Sequence, residues 1–126
     1  MEGTVYKSTG SWYNVKTDTG TLISCRIKGK FRTDQISSTN PVAVGDRVTI
    51  SIDENPEEGV IHHIHDRKNY IVRKSVNLSK QIHILAANID IAFLLITLNT
   101  PVTFPAFIDR FLATAKAFGI EVVLLF

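Results

Sequence analysis

A single cysteine in 126 residues leaves no partner for an internal disulfide, which excludes a cross-linked secreted scaffold and suits a reducing, cytoplasmic setting. That residue, Cys25, falls on the apolar side of an expected strand and reads as core packing rather than a reactive thiol. Long apolar runs are missing too: the longest, residues 91–96, is far short of the ~20 that span a bilayer, so no membrane role is expected. The opening residues show no basic stretch ahead of an apolar segment, so no secretory signal is read. Charge of one sign is scarce, with 14 Lys and Arg against 12 Asp and Glu giving +2. Total charge therefore argues for no polyanionic partner, and any basic surface must be local. No G-x-x-x-x-G-K-[ST] phosphate loop and no Cys/His set with zinc spacing occurs, so no catalytic residue and no metal ligand is assigned.

What is present reads as two halves. Hydrophobic residues at 44% and charged residues at 21% are those of a folded globular chain. Up to about Lys68 the pattern has the period of half-buried strands. Ile23, Cys25 and Ile27 face one way and Ser24, Arg26 and Lys28 the other, while Val48, Ile50 and Ile52 alternate with Arg47, Thr49 and Ser51. Turn-forming residues at 8–11, 17–20, 44–46 and 55–59 space these strands as in a small five-stranded barrel.

From Ile91 the alternation stops. Ile-Ala-Phe-Leu-Leu-Ile suits a strand covered on both faces. Phe104, Phe107, Ile108, Phe111, Leu112, Ala115 and Phe118 then recur at helical spacing, with Pro105 at the entry and Gly119 past the end. A second apolar strand at 120–126 completes a β-α-β unit with parallel strands and a right-handed crossover. One helix covers one face of a sheet, so this unit is expected to belong to a larger domain. The polar stretch 74–88 reads as a connector.

Several constellations invite chemistry. In Lys28-Gly29-Lys30-Phe31-Arg32, three cations suit phosphates and Phe31 offers a stacking face, although an ordinary solvated hairpin has the same composition. Arg67, Lys68, Arg73 and Lys74 surround a short apolar strand and suit either phosphate binding or a joint between domains. His62, His63 and His65 lack a further ligand at zinc-like spacing and are read as wet-face residues. Asn88 and Asp90 sit just before the first buried strand, where side chains either cap backbone groups or approach the phosphate loop of a nucleotide in the finished domain, and capping is the preferred reading. Asp109 and Arg110 read as a solvated or interdomain pair.

Taken in order, Val44-Gly45-Asp46-Arg47-Val48, the run from Arg67 to Lys74, Ala87-Asn88-Ile89-Asp90 and Ile108-Asp109-Arg110-Phe111-Leu112 resemble the small-subunit-dependent ribosome biogenesis GTPases called RsgA or YjeQ. The resemblance covers effectively the whole chain. It implies an all-β OB-fold barrel at residues 1–70 that faces RNA. It implies next, at 71–126, the first β-α-β unit of an α/β P-loop GTPase domain with circularly permuted motifs. Lys28, Lys30, Phe31, Arg32, Arg67, Lys68, Arg73 and Lys74 are then the expected RNA contacts. The nucleotide-binding residues are expected just after Phe126, beginning with Asn-Lys-x-Asp. The resemblance further implies GTP with magnesium and a structural zinc for the full-length protein, the small ribosomal subunit and its rRNA as partners, and inactivity of the 126 residues alone. The rival reading is a non-enzymatic OB module for single-stranded nucleic acid, for which Trp12, Tyr13 and Phe31 would supply stacking faces.

Overall fold

The computed structural model describes residues 1–29, 41–52, 54, 58–74 and 82–126, and at 73, 74 and 82 the backbone alone. Contacts along the chain gather it into two units, Met1–Asn88 and Ile89–Phe126.

In the first unit, β1 (Glu2–Ser8), β2 (Tyr13–Thr17), β3 (Leu22–Ile27), β4 (Arg47–Ile52) and β5 (Glu58–Ile64) close into a barrel of order β1-β2-β3-β5-β4. Only β3 and β5 run parallel; the remaining neighbours are antiparallel, and β1 meets β4 through Gly3↔Val48 to shut the cylinder. Closure leaves no free strand edge, the usual liability of a short sheet. The alternation anticipated from sequence fills the interior: Val5, Tyr13, Val15, Ile23, Cys25, Val42, Val48, Ile50 and Ile61 form one buried cluster. Each such side chain contributes on the order of 1.5–3 kcal/mol by leaving water. Two expectations fail here. Ile52 ends exposed at the last position of β4, where its partner in register is Gly59, which has no side chain to cover it. Tyr13 is wholly buried, with its hydroxyl donating to the Gly10 carbonyl at 3.3 Å, so it stacks on nothing outside.

The stretch read as a connector instead supplies a strand. β6 (Tyr70–Lys74) and β7 (Ile82–Ala87) form an antiparallel hairpin that groups with the barrel. Leu85 is exposed where a regular strand face would be apolar and covered, which hides the period in the sequence; pairing with the β-prone Tyr70-Ile71-Val72 decides the conformation.

In the second unit, β8 (Ile91–Leu95) and β9 (Glu121–Leu125) pair in parallel, Ile91↔Glu121 to Leu95↔Leu125, around α1 (Pro105–Ala117). Pro105 occupies the first helical turn and Gly119, at φ 68°, follows the C-cap, as the sequence predicts. Ala115 is the helix's buried residue, and its carbonyl accepts from the Ile120 N–H at 2.8 Å, which feeds the chain directly into β9. Leu94, Ile96 and Ile120 are buried, whereas Ile91, Phe93 and Leu95 are exposed, as are Phe104 at the helix N-cap and Phe107 on the helix. Coverage of both sheet faces is thus not met within this unit, because a single helix masks a single face.

Candidate nucleic-acid interface

The wet face of β1, β2 and β3 carries the cations. Lys16 and Arg26 project outward at alternate positions of β2 and β3, and Lys28 follows β3, its backbone N–H donating to the Ile61 carbonyl at 3.2 Å. Lys30, Phe31 and Arg32 lie outside the described residues, as do the side chains of Arg73 and Lys74. Beside Lys16 stands an exposed aromatic that the sequence reading passed over. The Lys16 ammonium lies 5.4 Å from the centroid of the Tyr6 ring, within cation–π reach. Trp12 is exposed in the β1–β2 turn, where the Thr9 hydroxyl donates to its carbonyl at 3.1 Å. Cations interleaved with aromatics on the β2–β3 side of such a barrel can neutralise phosphates and stack unpaired bases.

Arg67 is differently placed. Its Nε and Nη2 donate to Asp46 Oδ1 and Oδ2, each at 2.7 Å, and Nη2 also reaches the Pro41 carbonyl at 3.0 Å. The Asp46 side chain is 0% exposed and its Oδ2 accepts a third bond from the Ala43 N–H at 2.8 Å, while Arg67 is 19% exposed. Bidentate pairing with a buried carboxylate raises the Arg67 pKa above its ordinary value, against the effect of desolvation. The guanidinium is therefore committed to holding the 41–46 loop. Lys68 is exposed, and its backbone N–H donates to Asn88 Oδ1 at 2.9 Å.

Around that pair the family-like motifs converge into a clasp between barrel and hairpin. The Ala87 N–H donates to the Val44 carbonyl at 2.8 Å, and Asn88 Nδ2 donates to the Gly45 carbonyl at 2.9 Å. Asn88 sits at φ 53°, a left-handed conformation that Asn tolerates better than most residues. It thus performs the capping role read for it. Gly45, at φ 93°, passes so close that a Cβ there would stand 2.0 Å from the Ala87 carbonyl oxygen. No local pattern announces the Asp46–Arg67 partnership, since its members lie 21 residues apart.

The histidines are engaged with the barrel wall. His65 Nε2 contacts Glu2 Oε2 at 2.6 Å and Thr49 Oγ1 at 3.1 Å, His62 bonds Ser51, and the His63 and His65 rings meet edge to face at 4.9 Å. The Thr49 hydroxyl and then His65 hold the Glu2 carboxyl below its ordinary pKa. Burial pushes the Cys25 thiol up to about 11, in keeping with core packing. Among the described residues no group of three His, Cys, Asp or Glu is placed to hold a metal, so these side chains do not fit a zinc centre. Asp109 and Arg110 lie exposed on α1, Arg110 Nε donating to the Ala106 carbonyl at 3.4 Å.

A closed barrel of this strand order followed by a parallel β-α-β unit defines the class: an OB-type module joined to the opening of a parallel α/β domain. The crystal structure of YloQ, a circularly permuted GTPase, superposes with a TM-score of 0.65 at 28% identity over 98% of this chain and 39% of that one. Residues 2–61 match the RsgA N-terminal domain family and residues 64–126 the RsgA GTPase family, and the chain belongs to the RsgA family. Proteins named small ribosomal subunit biogenesis GTPase RsgA are similar throughout. That of Flavobacterium johnsoniae is 63% identical, with all of this chain and 39% of that protein covered. That of Christiangramia forsetii is 65% identical with 41% of its length covered, and that of Bacteroides fragilis 59% with 40%. The chain spans about two fifths of the length of these relatives. Among the described residues no helix is long and apolar enough to cross a membrane.

Proposed function

We propose that this chain supplies the RNA-facing barrel and the first β-α-β unit of a cytoplasmic GTPase that assists maturation of the small ribosomal subunit. The observation that carries the reading is the pairing of a closed OB-order barrel with a parallel β-α-β unit, each matched by the corresponding RsgA family. Match of residues 64–126 to a GTPase family favours this over a free-standing nucleic-acid module. In this division of labour the barrel contacts rRNA through Lys28, Lys30, Phe31 and Arg32, with Lys68, Arg73 and Lys74 at its exit. Arg67 secures the loop beside them. Hydrolysis needs a phosphate cradle, magnesium and a positioned water, and the 126 residues contain no phosphate-loop sequence. GTP turnover therefore belongs to the full-length protein, as does any structural zinc.

Competition on purified small subunits tests the proposal. The 126-residue chain should displace labelled full-length protein from them while hydrolysing no GTP above background. Replacing Lys28, Lys30 and Arg32 together by Ala in the full-length protein should weaken subunit binding and leave nucleotide affinity unchanged. Each lost phosphate contact should flatten the dependence of log affinity on log salt by about 0.7–0.9. Failure of the parent chain to compete would refute the ribosomal assignment of the barrel, and equal salt slopes would remove the loop from the interface.

A further inference from the structure

Strand β1 departs from regular pairing at one residue. Gly3, Thr4 and Val5 pair with Thr17, Lys16 and Val15, and pairing resumes at Lys7↔Asn14, so Tyr6 is an inserted bulge residue. The insertion flips parity: Val5 is buried, and both Tyr6 and Lys7 then face solvent. In a regular strand Lys7 would point into the core. Bulges recur where a strand re-aims a side chain, and here the re-aimed group is a Tyr left 57% exposed. The Lys16 ammonium at 5.4 Å from the ring centroid steadies the ring against the β2 surface. The outward partners in register, Thr4 and Asn14, are neutral, and the carboxylates further along, Glu2 on β1 and Asp18 just past β2, are bonded to Thr49 and His65 and to Arg47 respectively.

We propose that Tyr6 is a stacking platform for one unpaired RNA base, with Lys7 and Lys16 neutralising the flanking phosphates. The inference rests on the reading of the barrel as RNA-facing and adds to it the form of RNA taken. A base within a duplex has both faces covered by its neighbours, whereas a single-stranded base offers a face to an aromatic ring. The Lys16 ammonium over the ring and the exposed Lys7 next along the strand match phosphates and disfavour an apolar protein side chain as the occupant. A base laid on the ring extends the order Lys16, Tyr6, base.

The test titrates this chain with a fluorescently labelled, short single-stranded oligoribonucleotide and with a duplex of the same sequence, at several salt concentrations. The single strand should bind more tightly than the duplex. Tyr6→Ala and Tyr6→Leu should each weaken single-strand binding by between about 5-fold and about 150-fold, the range for losing one stacked base, without changing the salt slope. Tyr6→Phe, which keeps the ring, should retain most of the affinity. Lys7→Ala should instead reduce the salt slope by about 0.7. Tyr6 is exposed, so thermal melts of these variants should overlay the parent. If Tyr6→Ala and Tyr6→Leu bind as the parent does while Lys7→Ala and Lys16→Ala weaken binding, stacking on Tyr6 is refuted and the RNA-facing barrel stands. If the parent binds neither RNA, the RNA-facing reading fails and this inference falls with it.

Discussion

Replacing Arg67 by Met should strip the buried Asp46 carboxylate of its counter-charge and, among the described residues, of two of its three hydrogen bonds, leaving that from the Ala43 N–H. Removing one partner of a buried pair costs about 3–5 kcal/mol, because the remaining charge stays desolvated. Arg67 is 19% exposed, so water reaches the site once the guanidinium is gone, and the lower end, about 3 kcal/mol, is expected. For a unit of this size that corresponds to a fall in Tm of roughly 12–24 °C. Urea unfolding read through the emission of Trp12, the chain's one tryptophan, reports on the unit that contains the pair. The midpoint should drop with the slope unchanged, since the same surface is exposed on unfolding. Adding Asp46→Asn removes the stranded charge and keeps an acceptor for Ala43, so the double variant should recover part of the loss. A single variant within about 0.5 kcal/mol of the parent, or a double variant worse than the single, would refute the clasp as the reason for this pair. Unchanged stability with an RNA salt slope flatter by about 0.9 would instead make Arg67 a phosphate contact.

Gly45→Ala places a methyl group 2.0 Å from the Ala87 carbonyl at a φ of 93°, and should cost more than the ~1–3 kcal/mol of backbone strain alone, measured by the same denaturation. Glu2 titrates below its ordinary 4.5 because the Thr49 hydroxyl and His65 favour the carboxylate. Its contribution is therefore present above that pH and lost as pH falls through the lower folded value. The stability difference between parent and Glu2→Gln should be constant above pH 4.5 and shrink below it, in a series of unfolding midpoints against pH. Cys25, buried and with its thiol raised to about 11, should resist alkylation at pH 8 in the native chain and react promptly in urea; fast native labelling would contradict the core placement.

Much of the barrel is legible because parity carries it: Ile23 and Cys25, or Val48 and Ile50, declare their face by spacing alone. The helix and its flanking parallel strands are legible for the same reason at a different period. Parity fails where an insertion occurs, and Tyr6 and Lys7 therefore escape notice, since a bulge leaves no residue-type signature. Tyr13 misleads because aromatic character does not distinguish a ring inside a barrel from one outside. Phe104 and Phe107 keep helical spacing without acquiring cover, because periodicity names a face and not its occupant. The partnership of Asp46 with Arg67 depends on tertiary geometry across 21 residues, beyond any local rule. What the sequence offers there is the motif pair itself, readable as a family mark but silent on its mechanical role.

The clasp also carries a consequence for the order of events in folding. The β6–β7 hairpin is local and needs little loop closure, whereas the bond from Asn88 to Gly45 joins residues 43 apart and the barrel seam joins Gly3 to Val48. Docking the hairpin requires the 43–46 loop to have its native shape, which Val5 helps fix by exchanging backbone bonds with Gly45 and Asp46 at 2.8 and 2.9 Å. Barrel closure should thus precede docking, with the contacts of Asp46, Arg67 and Asn88 expected to consolidate after the rate-limiting step. Weakening them should leave the refolding arm of a chevron nearly in place and accelerate the unfolding arm, so that the clasp sets how long the native unit lasts rather than how quickly it is reached.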